Sequence, residues 1–208
     1  MPTVLDSPVE SQTGALPLQT ITTARLAQFS VERYHQLIAS GHFTPEDRFE
    51  LLEGYLVTKM SKNWPHLTAL RNLVDLLPGL LPNDWQHSVQ DSITMAHSEP
   101  EPDLAVIRRQ PDNYYGRVPG AADAGLLIEV ADSSLDTDQI DKLGIYARAG
   151  IPVYWIVNLI DRQIEVYERP AGSDYQSRRA YLPGEVVPIV LAGQTVGHIA
   201  VNAVLPAA

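Results

Sequence analysis

The segment GLLIEVA, residues 125–131, places a single carboxylate, Glu129, inside a run of apolar residues. The run is short and bounded by turn-forming residues, which predicts a buried β-strand rather than a helix. A second run, PDLAVI at residues 102–107, has the same character and carries Asp103 near its start. An ionised carboxylate in a buried strand is costly unless it is paired or binds a metal ion. Asp103 and Glu129 are therefore candidate metal ligands on two buried strands.

A lysine on the helix predicted after the Glu129 strand completes a possible hydrolytic site. Mg²⁺ prefers oxygen ligands and keeps several waters, so one or two protein carboxylates suffice to bind it. The bound ion makes a water a better nucleophile and stabilises charge on a phosphate. Lys142 could orient that water or stabilise the developing charge. These three residues predict a magnesium site for cutting a phosphodiester bond, with Mn²⁺ as the alternative metal.

Each of these residues also has an ordinary structural interpretation, which the sequence leaves open. Asp103 follows a proline and could end a turn, and Glu129 could form a structural ion pair. Lys142 comes four residues after Asp138, so an i,i+4 ion pair on a helix surface is its default interpretation.

Three further side chains near these motifs are ambiguous. Glu50 stands on a predicted hairpin strand, where it is either an exposed strand carboxylate, the default, or a further acidic group of the site. His66, next to a proline at a helix start, is interpreted as a cap or surface residue rather than a base. Tyr146 shares a helix face with Lys142 and is interpreted as a packing aromatic.

Length and composition favour one globular domain of 208 residues, with residues 1–25 as a flexible N-terminal tail and 26–208 as the folded unit. The chain has no cysteine, which excludes disulfides, thiolate zinc sites and cysteine nucleophiles and fits a cytoplasmic location. No apolar stretch approaches the ~20 residues of a membrane span, so no membrane association is expected.

The net charge of −10 argues against a general DNA-binding surface, since such domains usually carry a basic footprint. A local basic face and a bound metal could oppose the overall field. The candidate cations are Arg108, Arg109 and Arg117, near the Asp103 strand in sequence, and the pair Arg178 and Arg179.

The order of predicted elements favours an α/β fold with a central sheet of mixed direction. They are a helix over residues 30–40, hairpin strands at 49–52 and 55–57, a helix from 65 to 77, an extended segment at 86–95, a strand at 103–107, a loop over 110–124, a strand at 125–131, a helix from 136 or 137 to about 150, strands at 153–157 and 163–167, and further short strands that include 195–204.

The ordered set of motifs resembles the Uma2 family of restriction-endonuclease-like proteins, within the PD-(D/E)XK nuclease superfamily. The resemblance covers about residues 28–200, and it is the ordered set rather than any one motif that is specific. The motifs are Glu50-Leu51-Leu52-Glu53-Gly54, His66, Pro102-Asp103-Leu104-Ala105-Val106, Ile128-Glu129-Val130, Asp138 with Lys142, and Tyr146 with Gly150 and Tyr154-Trp155-Ile156-Val157.

The resemblance implies a restriction endonuclease-like core, divalent-metal-dependent cleavage of DNA and a homodimer. It assigns Asp103 as the "PD" aspartate, Glu129 as the "(D/E)" carboxylate and Glu50 as the acidic residue of the N-terminal hairpin. Ala131 stands where the lysine of the simplest E-x-K pattern would fall, and Lys142 matches the displaced lysine of this family. Its ammonium would have to reach back from the following helix.

Two functional hypotheses follow from these residues together with the resemblance, which alone implies DNA as the substrate. The first is a Mg²⁺-dependent endodeoxyribonuclease in which Asp103 and Glu129 bind metal, Lys142 helps to activate water and Glu50 completes the site. The alternative is a non-catalytic metal- or protein-binding module that keeps the nuclease fold, which the acidic charge favours.

Overall fold

A six-stranded sheet of mixed direction forms the centre of the protein, in the strand order β3-β4-β5-β6-β7-β8. The computed structural model describes residues 26–207, so the predicted flexible tail at residues 1–25 lies outside the described residues. The strands of the central sheet are β3 (Trp85–Val89), β4 (Leu104–Arg108), β5 (Ala124–Ala131), β6 (Val153–Asn158), β7 (Gln163–Ala171) and β8 (Asp174–Tyr181). Strands β5 and β6 pair in parallel and their neighbours pair antiparallel, which confirms the predicted mixed α/β sheet.

Helices and two separate hairpins surround this sheet. The hairpins are β1 (Phe49–Leu52) with β2 (Tyr55–Thr58), and β9 (Val186–Leu191) with β10 (Gln194–Ala200). The α-helices are α1 (Val31–Ala39), α2 (Trp64–Leu76), α3 (Leu143–Arg148) and α4 (Val201–Val204). A π-helical segment, Thr137–Lys142, runs directly into α3, and short 3₁₀ turns lie at Pro45–Asp47, Leu77–Gly79 and Ala121–Asp123.

Strand β5 is buried on both faces, which explains its nearly continuous apolar sequence. Alternate residues of the strand belong to two hydrophobic cores. Leu126, Ile128 and Val130 join the core shared with α2, α4 and the β9–β10 hairpin. Leu127 and Ala131 join the opposite core, which contains α3. Since side chains alternate along a strand, Glu129 lies between the latter two on the α3 face of the sheet.

The β1–β2 hairpin closes one end of the α3 face. Its turn has positive φ at Glu53 (49°) and Gly54 (80°), the conformation that two-residue hairpins favour. Gly54 is also required by space, because a Cβ there would lie 2.9 Å from Cβ of Gln28. The backbone N–H of Glu99 donates to the carbonyl of Leu51 at 2.7 Å, which ties the hairpin to the chain that leads into β4.

Two predicted strands end earlier in the structure than expected. The predicted strand 86–95 ends at Val89, because Gln90 is left-handed (φ 58°) and Ile93 bonds the carbonyl of Pro100 instead of a sheet neighbour. The predicted strand 195–204 ends at Ala200, and α4 follows it. Its buried residues Val201 and Val204 cover the core beneath α2, a tertiary effect that overrides the β-propensity of valine.

Candidate active site

The two carboxylates on the central strands lie side by side. The antiparallel register pairs Leu104 of β4 with Ile128 of β5, so its continuation places Asp103 opposite Glu129. Directly opposed residues project from the same face of a sheet. The Asp103 N–H donates to Oε2 of Glu129 at 3.3 Å, and the Val130 N–H donates to Oδ2 of Asp103 at 2.9 Å. The ladder thus fixes both carboxylates on one face.

Two donors from the crossover helix converge on Glu129. Nζ of Lys142, the last residue of the π-helical segment, donates to Oε1 of Glu129 at 3.0 Å. The hydroxyl of Tyr146 in α3 donates to the same oxygen at 2.7 Å. Ala131, two positions after Glu129, is buried on the same face without a charge, so Lys142 supplies the ammonium there. A π-helical turn inside an α-helix is frequent at functional sites.

Glu50 reaches the same lysine from the hairpin. Its Oε2 lies 3.4 Å from Nζ of Lys142 and accepts from the Glu101 N–H at 3.2 Å. The side chain is buried, so the default expectation of an exposed strand carboxylate is wrong. The reason is the segment before β4, which packs against the hairpin strand that carries Glu50.

Asp103 has a separate set of partners. Nε2 of His66, buried in the first turn of α2, lies 3.1 Å from Oδ1 of Asp103 and donates to it in the Nε2–H tautomer. Nε2 of Gln90 donates to the same oxygen at 3.4 Å, and Nζ of Lys62 lies 3.7 Å from it. The His66 backbone N–H meanwhile donates to the side chain of the N-cap residue, Asn63, at 3.1 Å.

Three groups at the centre have different electrostatic environments. Burial raises the pKa of Glu129 to about 8, against the opposing effect of the Lys142 ammonium. Burial alone would raise the pKa of Asp103, but His66 and the Val130 N–H outweigh it and hold that pKa below its usual value. Burial would lower the pKa of Lys142, yet Glu129 and Glu50 overcome it and raise the pKa. Lys142 is therefore a firmly protonated cation, and Asp103 is ionised at neutral pH.

The site opens into a cavity of about 490 Å³. Its lining includes Glu50, Asp103, Glu129 and Lys142 together with Asp138. Among residues 26–207, no group of three or more His, Asp and Glu side chains stands close enough to hold a metal ion by itself. Asp103 and Glu129 nevertheless fit a hard cation, because two oxygen ligands with waters and a substrate phosphate are a usual Mg²⁺ environment.

The structure brings all four predicted site residues together and changes the interpretation of three others. The ion pairs of Lys142 in the described chain are to Glu129 and Glu50, whereas Asp138, its predicted helix partner, accepts from Oγ of Ser134 at 2.7 Å. His66 and Tyr146, interpreted as a cap and a packing aromatic, each bond one of the two carboxylates. In the sequence, only the place of His66 and Tyr146 in the ordered set of motifs indicates a role in the site.

The five arginines named as candidate cations do not line the cavity. Each has another partner in the described chain. Arg108 pairs with Asp84, Arg109 bonds the carbonyls of Asn83 and Trp85, Arg117 pairs with Asp123, Arg178 with Glu165 and Arg179 with Glu185.

Comparison with known proteins agrees with this fold. The family model Uma2, described as "Putative restriction endonuclease", matches residues 31–202. A crystal structure from Anabaena variabilis, described as a "putative nuclease belonging to DUF820", aligns with a TM-score of 0.62 and 16% identity over 85% of this chain and 97% of that one. The structural match confirms the nuclease-like fold. No functionally curated protein matches the chain. No helix among residues 26–207 combines the length and apolarity needed to span a bilayer.

Proposed function

Because the chain belongs to the Uma2 family and joins two strand carboxylates to a buried lysine, we propose that it is a divalent-metal-dependent endonuclease that hydrolyses DNA. One observation carries the proposal. The Lys142 ammonium lies 3.0 Å from Glu129 and 3.4 Å from Glu50, beside the opposed Asp103. A structural ion pair would need one carboxylate, whereas here two carboxylates contact one cation and a third, Asp103, lies beside Glu129 at the cavity.

The metal would be held by Asp103 and Glu129, whose carboxylates are fixed on one face by the β4–β5 ladder. Mg²⁺ or Mn²⁺ in this position would lower the pKa of a bound water and neutralise charge on the phosphate. The His66 ring orients the Asp103 carboxylate, and the Tyr146 hydroxyl orients that of Glu129. Such bonds to ligand side chains set their orientation and basicity.

Lys142 would act as a cation rather than as a general base. Its neighbours raise its pKa, so the ammonium stays protonated and can donate to a phosphate oxygen or to the attacking water. The water oxygen forms the new P–O bond and gives up one proton to solvent, while the P–O bond to the leaving sugar oxygen breaks and that oxygen takes up a proton from solvent. Glu50 holds Lys142 in place throughout, since its Oε2 also accepts from the Glu101 N–H.

The test is cleavage of supercoiled plasmid and of circular single-stranded DNA with Mg²⁺ or Mn²⁺, comparing wild type with Glu129→Gln. Glu53→Gln is a matched control, because Glu53 is a half-exposed carboxylate on the same hairpin as Glu50 and does not line the cavity. We expect metal-dependent nicking that falls at least about 100-fold in Glu129→Gln and is unchanged in Glu53→Gln.

Equal cleavage by Glu129→Gln and wild type would refute the assignment of the site. Failure of the wild type to cut either substrate with either metal would refute the nuclease and favour the binding module.

A further inference from the structure

We propose that the rim of the cavity, formed by the β2–α2 loop (residues 59–63) and Arg48, binds an unpaired DNA strand together with Trp64, the residue that follows the loop. Trp64 would stack on a base, and the cations of the rim would contact the phosphates on either side. This inference deepens the proposed nuclease function by naming its substrate class, and it rests on that function for the scissile phosphate.

Trp64 is exposed to an unusual degree for its residue type. It is the first residue of α2 and is 76% exposed, whereas Trp85 and Trp155, the other two tryptophans, are buried. Met60, in the same loop, is also exposed and lines the cavity. A large aromatic ring normally contributes by burying its faces. An indole left in solvent directly after a loop that lines the cavity is thus available to stack on a ligand.

The β2–α2 loop is basic in a protein that is acidic overall. The loop reads Lys59-Met60-Ser61-Lys62-Asn63 and contains no acidic residue, although the chain carries a net charge of −10. Nη2 of Arg48 donates to the carbonyl of Met60 at 2.8 Å and so brings a third cation to the loop. Arg48, Lys59 and Lys62 all line the cavity.

The lysines of this loop are placed to exchange partners. Lys59 pairs with Glu101 at 2.7 Å, and Lys62 lies 3.7 Å from Asp103. Both side chains are partly exposed, so water screens these pairs and each contributes little to stability. Either ammonium can therefore turn to a phosphate at small cost. A metal ion on Asp103 would repel Lys62 towards the approaching strand.

The recessed site favours a single strand over a duplex. Asp103, Glu129 and Lys142 are all buried at the base of the cavity. A single strand is flexible enough to bend a phosphate into such a recess. It also exposes base faces for stacking, which a duplex hides within its base stack. Stacking on an aromatic together with a basic groove is the usual mode of single-strand binding.

The test measures binding to a fluorescein-labelled oligo(dT) of about 15 nucleotides and to a duplex of the same length, by anisotropy with Ca²⁺ in place of Mg²⁺. We expect tighter binding of the single strand than of the duplex and quenching of tryptophan fluorescence in the wild type. Trp64→Ala should weaken single-strand binding at least about fivefold, and Trp64→Phe should weaken it less. Lys62→Ala should reduce the slope of log affinity against log salt by about 0.7.

Tyr115→Ala is the matched control, because Tyr115 is 91% exposed and lies in the loop between β4 and β5, not next to the β2–α2 loop. Duplex binding as tight as single-strand binding, or Trp64→Ala binding equal to that of Tyr115→Ala, would overturn the inference. The assay is independent of cleavage. Trp64-dependent binding without cleavage by any metal would leave the strand-binding surface standing and refute the nuclease. Cleavage that is lost in Glu129→Gln and unchanged in Trp64→Ala would support the nuclease and refute the strand-binding surface.

Discussion

Replacing Lys142 by methionine tests whether the buried ammonium neutralises the acidic site. Methionine nearly fills the space of the lysine stem but leaves Glu129 and Glu50, whose oxygens lie 3.0 and 3.4 Å from Nζ, buried without a cation. Removing one partner of a buried ion pair costs about 3–5 kcal/mol. Because a domain of this size has roughly 5–15 kcal/mol of stability in all, the variant should lose a large fraction of it at alkaline pH, where Glu129 is ionised, in the absence of metal.

The pH dependence of this loss has a definite sign. Without Lys142, burial raises the pKa of Glu129 further above its ordinary value, so the folded variant holds a proton that the unfolded chain releases. The stability of such a protein is greatest below the unfolded pKa of about 4.5 and falls as pH rises towards the folded pKa. The deficit of Lys142→Met relative to wild type should therefore be small at acidic pH and largest at alkaline pH.

The assay is urea unfolding followed by the fluorescence of the buried Trp155, across a range of pH and in EDTA. Lys62→Met is the matched control, since Lys62 lies 3.7 Å from Asp103 but is about one-third exposed. It should cost less than about 1 kcal/mol. The reasoning fails if the two variants are equally stable at alkaline pH, or if the deficit of Lys142→Met grows as the pH is lowered.

Three further predictions concern the side chains that hold the two carboxylates. His66→Phe removes the Nε2 bond to Asp103 and should weaken Mn²⁺ binding about 10-fold or more by calorimetry, and an unchanged affinity would contradict an orienting role. Tyr146→Phe removes the hydroxyl that donates to Glu129 but keeps the ring, so cleavage should fall about 10-fold while the melting temperature changes little. In the control, Tyr175→Phe, the lost hydroxyl bonds a backbone carbonyl, and cleavage should be unchanged. The raised pKa of Glu129, about 8, means that its carboxyl holds a proton at neutral pH, which a metal ion must displace. Mn²⁺ affinity should therefore rise up to about 10-fold per pH unit between about pH 6 and 8. A flat profile would show that Glu129 is already ionised.

The central strands and the first hairpin could be predicted from sequence because their signals are local. The apolar run around Glu129 is continuous since both faces of β5 are covered, and the Glu53-Gly54 turn requires positive φ at both residues. The α4 segment could not be predicted, because Val201 becomes helical only through the core that it covers. The sequence predicts an element when the signals for it lie within that element. An element that forms only through tertiary packing, such as α4, cannot be predicted in this way.

The candidate site shows the same division. Asp103 and Glu129 could be singled out because a carboxylate in a buried strand breaks an otherwise apolar pattern. Glu50 is buried because the segment around Glu99 packs against its strand. The residues next to Glu50 in sequence do not show this contact, so the local pattern predicts an exposed side chain. His66 reaches Asp103 from a different element altogether, and no spacing in the sequence encodes that contact.

Binding of Mn²⁺ in the absence of nucleic acid tests the central claim most directly, because it needs neither a substrate nor a recognition sequence. Electron paramagnetic resonance of the free ion would give the stoichiometry for wild type, Asp103→Asn and Glu129→Gln, with Glu53→Gln as the control. We predict that wild type and Glu53→Gln bind Mn²⁺ at one common site and that the other two variants lose it. Mn²⁺ binding that survives in both Asp103→Asn and Glu129→Gln, or that is absent from the wild type, would contradict the account.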